Sequence, residues 1–168
     1  MTLSIAYDTL KAEYPSSNPR SANFISRGDL FRQIGWDGFI GDPHYQNTCA
    51  IRVSLALVRV GVRISPKSHN ILAGPHAGEG IEVNMARLAR LLARPTYLGA
   101  YETLTNGTIS TARAGRQGIV AFHRIPGFTG GGHIDLIDNH NTADRCASAC
   151  HFGSDEVWFW PLPASATG

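Results

Sequence analysis

Apolar residues recur at helical spacing in the first half of the chain and at strand spacing in the second. In "QNTCAIRVSLALVRVG" (46–61), Ile51, Leu55 and Val58 follow i, i+4, i+7. Ala50, Val53, Leu57 and Val60 widen that face until little but Arg52, Ser54 and Arg59 stays polar, which predicts a mostly buried helix. Asn47 or Thr48 is placed to cap its start, and Gly61 to close it in the left-handed conformation. A second helix is predicted over 80–94, where Ile81, Met85, Leu88 and Leu92 form one stripe beside arginines and Pro95 ends the run. Leu3, Tyr7 and Leu10 predict a short opening helix within 3–13. Residues 28–36 predict another, with an acid near its start and glycines beyond its end.

After residue 117 the period changes. "GIVAFHRI" (118–125), "HIDLID" (133–138) and "VWFWPL" (157–162) are short β-branched and aromatic runs separated by "PGFTGGG" and by the long loop "NHNTADRCASACHFGSDE". Helices first and strands later predict an α+β fold, with the helix of 46–61 packed on an antiparallel sheet.

The length of 168 residues suits one domain spanning 1–168, large enough to bury its own core. Apolar residues at 43% and charged residues at 17% exclude disorder and coiled coil. The net charge of +2 is spread over scattered arginines, which predicts no nucleic-acid partner. No apolar run approaches the roughly 20 residues of a membrane span. The first residues lack the basic-then-apolar order of a secretory signal. Cys146 and Cys150 nevertheless read as a pair remote from Cys49, and a disulfide between them would need an oxidising compartment. Free thiols, or a zinc site completed by His140 and His151, are the other readings of the same pair.

Cys49 stands in the first turn of the buried helix, where the macrodipole and unpaired N–H groups favour a thiolate. Its own N–H is placed to stabilise the oxyanion formed when sulfur attacks a carbonyl. A packed structural cysteine is the alternative. A nucleophile needs a base, and His133 is the best placed of the seven histidines, opening a strand directly after "TGGG". His44, His123, His140 and His151 lack that framing.

The ordered set "QNTCAIRVSLAL", "GIVAF", "GGHIDLID", a close cysteine pair and a terminal "VWFWPL" resembles the fourth family of type VI secretion amidase effectors, from about Tyr45 to Leu162. The resemblance implies a papain-like, NlpC-type cysteine peptidase fold. It also implies an enzyme that cuts the D-glutamate–meso-diaminopimelate bond of peptidoglycan stem peptides, with no cofactor and no metal. Its implied partners are the type VI secretion apparatus and a cognate immunity protein that blocks the active site. By the same resemblance the protein is made in the cytoplasm without a signal peptide and acts in the target cell's periplasm, where Cys146 and Cys150 form a disulfide.

Carried over by residue, the nucleophile falls on Cys49 and the histidine on His133. The family's acid lies between its two cysteines, whereas here that interval is "CASAC" with Ser148 at its middle. Asp144, just before the pair, is the expected third member. Asp138 at the strand's end, Asp135, which shares the face of His133 by alternation, and a polar substitute for the acid are the alternatives. A non-catalytic zinc or wall-binding module, or a papain-like acyltransferase or protease, are the rival functions.

Overall fold

The computed structural model describes residues 2–104, 116–128, 131–138, 145–151 and 153–165. Helices come first: α1 (Tyr7–Ala12), α2 (Arg27–Ile34), two short 3-10 turns at Asp37–Phe39 and Pro43–Tyr45, and α3 (Cys49–Arg59). A small antiparallel pair, β1 (His69–Asn70) with β2 (Gly80–Ile81), precedes α4 (Met85–Leu92). Then come β3 (Glu102–Leu104), β4 (Gln117–His123), β5 (Gly132–Asp138) and β6 (Glu156–Pro161), forming an antiparallel sheet in the order β3-β6-β4-β5. This is the expected α+β, papain-like arrangement, with the cysteine helix packed on the sheet.

Alternation along the strands divides the sheet's two faces. Ile119 and Ala121 of β4, Ile134 and Leu136 of β5, and Trp160 join the large core made with α3 and α4. Val120, Phe122, Ile137, Val157 and Phe159 form a smaller cluster on the other face. α3 rests on β5, and α4 touches both α3 and β5. Ten of the eleven residues of α3 are buried, from Cys49 through Val58, as its broad apolar face predicts. Burial of two polar members has local causes. Ser54 Oγ donates to the carbonyl of Glu82 and accepts from its N–H, tying the helix to the end of β2. Arg52 is held by oxygens from three directions, described below.

Two predicted helices are shorter than their apolar spacing suggested. The stripe over 80–94 begins only at Met85, because Asn84 caps the helix by accepting from the N–H of Arg87, and Ile81 instead pairs with His69 in the small sheet. Likewise α1 starts at Tyr7, since the N–H of Leu3 donates to the carbonyl of Tyr97. Gly61 does end α3 with φ of 93°, and no described helix is long and apolar enough to cross a membrane.

Gly132 is where sheet and helices meet most tightly. A Cβ there would sit 2.3 Å from the carbonyl oxygen of Phe122 and 3.0 Å from the Met85 sulfur. The carbonyl of Gly132 also accepts from Asn47 Nδ2, joining the lead-in to α3 to the residue just before His133. Gly132→Ala is expected to destabilise the fold by about 1–3 kcal/mol through overpacking, read as a lower urea midpoint at unchanged m-value.

Candidate active site

Cys49 opens α3 and is 5% exposed. The residue before it, Thr48, is the N-cap by position but makes no capping bond; its hydroxyl accepts from Arg52 Nε at 2.8 Å instead. Asn47 takes over the capping role, its Oδ1 accepting from the N–H of Cys49 at 3.1 Å while its Nδ2 reaches Gly132. That bond corrects one expectation: the Cys49 N–H is already engaged by a side chain that the short Asx turn brings onto it, so it is not a free oxyanion donor.

β5 supplies the other two groups. His133 Nε2 lies 2.9 Å from Asp135 Oδ2, two residues along the same strand and therefore on the same face. The ring and the Cys49 thiol line the same cleft, and with Nε2 turned to the acid, Nδ1 is the nitrogen left for the sulfur. Burial pushes the imidazole pKa down, but the hydrogen bond to Asp135 and the influence of the Cys49 and Asp135 groups outweigh it. The net result is raised to about 10. The ring holds its proton at neutral pH.

Asp135 is wholly buried and is satisfied by backbone donors. The N–H of Leu136 donates to Oδ1 at 2.8 Å, the N–H of Ala149 to Oδ2 at 2.8 Å, and the N–H of Ser148 reaches both oxygens at 3.2 and 3.0 Å. Ser148 and Ala149 belong to the loop closed by the Cys146–Cys150 disulfide. With the two sulfurs bonded to each other, neither is a thiolate ligand for zinc, which removes the zinc reading of that pair. The loop is fastened again from the N-terminal segment. Ser148 Oγ lies 2.8 Å from the Tyr14 hydroxyl and accepts from the N–H of Ser17, and Ser16 Oγ donates to the carbonyl of Ala147.

Asp144, expected to stand behind the imidazole, lies outside the described residues, as does His140. Among the described residues Asp135 holds that place. Asp138 ends β5 on the other set of the alternation, and its N–H pairs with the carbonyl of Arg145. Of the remaining histidines, His44 is exposed beside Asp42 and His123 packs at a tilt against Trp158. His151 does belong to the site: its ring meets His133 edge-on at 5.0 Å and Phe128 at 4.9 Å. Burial and then the charge of His133 hold its pKa below the ordinary histidine value.

These groups open onto a cleft of about 460 Å³ walled by residues that include Phe24, Ile25, Gln46, Phe128 and His151, with Cys49 and His133 lining it. A thiol at the start of a buried helix, facing an imidazole and an acid on an antiparallel strand, defines a papain-like cysteine hydrolase. The model of the family "Type VI secretion system (T6SS), amidase effector protein 4" matches residues 45–160, a span holding Cys49, His133, Asp135 and the Cys146–Cys150 loop. The chain belongs to that family.

Solved structures agree on the fold. The Tae4–Tai4 effector–immunity complex from Enterobacter cloacae is 20% identical with a TM-score of 0.73, covering 95% of this chain and 99% of that one. Unbound Tae4 from Enterobacter cloacae is 19% identical with a TM-score of 0.73, covering 96% and 99%. The complex from Salmonella Typhimurium is 21% identical with a TM-score of 0.71, covering 94% and 98%. No curated protein sequence matches the chain. Family membership makes the chain an amidase effector of the type VI system, a hydrolase.

Two outcomes are expected from the way Asp135 is held. The raised His133 value lies above the ordinary 6.5, so the stabilisation this pair gives is whole below about pH 6.5 and lost as the pH climbs through 10. In Asp135→Asn the alkaline limb of kcat/KM should move down from near 10 toward 6.5, with activity reduced about 100-fold or more; pH–rate profiles of both proteins check it. Replacing Cys146 and Cys150 together by serine should lower kcat more than KM, because the Ser148 and Ala149 donors loosen while the Cys49 wall stays. Steady-state kinetics under non-reducing conditions would show the split.

Proposed function

We propose that this chain is a DL-endopeptidase that hydrolyses the bond between D-glutamate and meso-diaminopimelate in peptidoglycan stem peptides. Cys49 is the nucleophile, His133 the general base and acid, and Asp135 the residue that orients the imidazole. The observation carrying the reading is the convergence of the Cys49 thiol and the His133 ring on one open cleft, with the buried Asp135 carboxylate bonded to the ring from behind.

His133 holds the thiol's proton while the sulfur attacks the D-glutamyl carbonyl, giving a tetrahedral oxyanion. With the Cys49 N–H engaged, the exposed side-chain amide of Gln46 on the cleft wall is the oxyanion donor in this reading. The imidazolium then gives its proton to the departing diaminopimelate amine, and the C–N bond breaks to leave a thioester on Cys49. Water, deprotonated by His133, attacks the thioester; the C–S bond breaks, and free thiol and a new D-glutamate carboxylate result. Asp135 keeps Nε2 protonated so that Nδ1 alone trades protons with sulfur, amine and water.

Delivery by a type VI system into a recipient's periplasm suits an enzyme whose acid is held by a disulfide loop, since that compartment is oxidising. The Tae4 proteins of Enterobacter cloacae and Salmonella Typhimurium are solved with Tai4 immunity proteins, and a protein of that kind covering this cleft is the partner we assign here.

Purified sacculi digested with wild type, Cys49→Ala and His133→Ala test the reading by mass spectrometry. The wild type should release fragments with new D-glutamate and diaminopimelate ends. Both variants should fall by at least about 10³-fold. Release by Cys49→Ala at the wild-type rate, or new ends at another bond, would sink it.

A further inference from the structure

The cleft beside Cys49 is lined by two arginines, Arg27 and Arg52, and by no aspartate or glutamate among the described residues. Among the described residues neither arginine has a carboxylate within ion-pair distance, although Arg52 is only 2% exposed. Arg52 Nε donates to Thr48 Oγ1 at 2.8 Å, and Nη1 donates to the carbonyls of Pro15 at 3.1 Å and Ile25 at 2.9 Å. Nη2 has no hydrogen-bond partner among the described residues, on a side chain that forms part of the cleft wall. Burial draws the guanidinium pKa down, and only the more distant charges of Tyr14 and Asp135 oppose that. Arg27 is turned by its bonds to the carbonyls of Tyr45 and Ile40, with its guanidinium over the Phe31 ring.

Bonds to three neutral oxygens do not require a charge. A buried cation that lacks an acid carries a desolvation cost, and an anion arriving from outside would relieve it. Arg52 is also three residues from Cys49 on the same helix, so their Cβ atoms lie about 5–6 Å apart on one face.

In a γ-linked D-glutamate the free α-carboxylate is separated from the scissile carbonyl by one methine and two methylenes. A carbonyl placed at the Cys49 sulfur therefore brings that carboxylate within reach of the neighbouring side chain. We infer that Arg52, through Nη2, binds the α-carboxylate of the D-glutamate whose γ-carbonyl is attacked. Arg27 adds positive potential farther along the cleft. The inference rests on the endopeptidase reading above and adds the feature by which the site chooses its substrate: a free, rather than amidated, carboxylate beside the bond to be cut. An α-amide offers one carbonyl oxygen and no charge, and its NH2 faces a guanidinium that has only donors.

The test compares two synthetic L-Ala-γ-D-Glu-diaminopimelate stems, one with a free α-carboxylate and one with the α-carboxamide. Wild-type kcat/KM should be about 10- to 100-fold lower on the amide, the range expected for a hydrogen bond to a charged group. Arg52→Gln should cut both stems at similar, low rates. Arg52→Lys, which keeps the charge and suits the same wall if the glutamine variant folds poorly, should retain part of the preference. Equal wild-type rates on the two stems would overturn the inference while leaving the cleavage reading intact, as would Arg52→Gln keeping full discrimination. Failure of the wild type to cut either stem would overturn both.

Discussion

A carboxylate with no path to water has to be met by donors, and Asp135 is met by four: the N–H groups of Leu136, Ser148 and Ala149 and the imidazole of His133. Those bonds involve a charged acceptor and so belong to the strong class, which is what makes burial of the group tolerable. The donors come from two pieces of structure, β5 and the disulfide loop. Leu136 is on the strand itself, Ser148 and Ala149 are on the disulfide loop, and His133 leads to the thiol. Loosening any one of them moves the ring that faces Cys49. The contact between Asn47 and Gly132 ties the opposite end of the site, so the helix carrying sulfur and the strand carrying imidazole are joined by polar bonds at the site as well as by packing behind it.

Legibility in the sequence follows the range over which each feature is determined. The burial of α3 was readable because its apolar face is nearly continuous, and Gly61 ended it as expected. Cys49 and His133 were readable because a helix start and a strand start are local signals. The three long strands lie within a residue or two of their predicted bounds. Ile81 was misread, since its place on the helical stripe is real but pairing with His69, twelve residues back, wins over it.

The acid behind His133 could not be ranked from the sequence alone. Alternation put Asp135 on the face of His133, yet its bond to the ring depends on how residues 145–149 wrap onto β5. That in turn depends on Tyr14, Ser16 and Ser17 more than a hundred residues earlier. Arg52 shows the same limit. It reads as one of the few polar residues on a buried helix, and only the arrival of Pro15 and Ile25 from the N-terminal segment explains why it is enclosed.

The loop that clamps Asp135 also runs along the outer side of β5. The N–H of Asp138 bonds to the carbonyl of Arg145, that of Ala147 to the carbonyl of Leu136, and Ile137 makes a bridge with Cys146. β5 ends the sheet, and an uncovered terminal strand offers its main chain as a template on which another chain can zip. Here that template is occupied by the protein's own backbone along the catalytic strand. The stretch that orders the chemistry is thus also a guard against strand-to-strand association between copies, and a change that frees the loop would cost solubility along with activity.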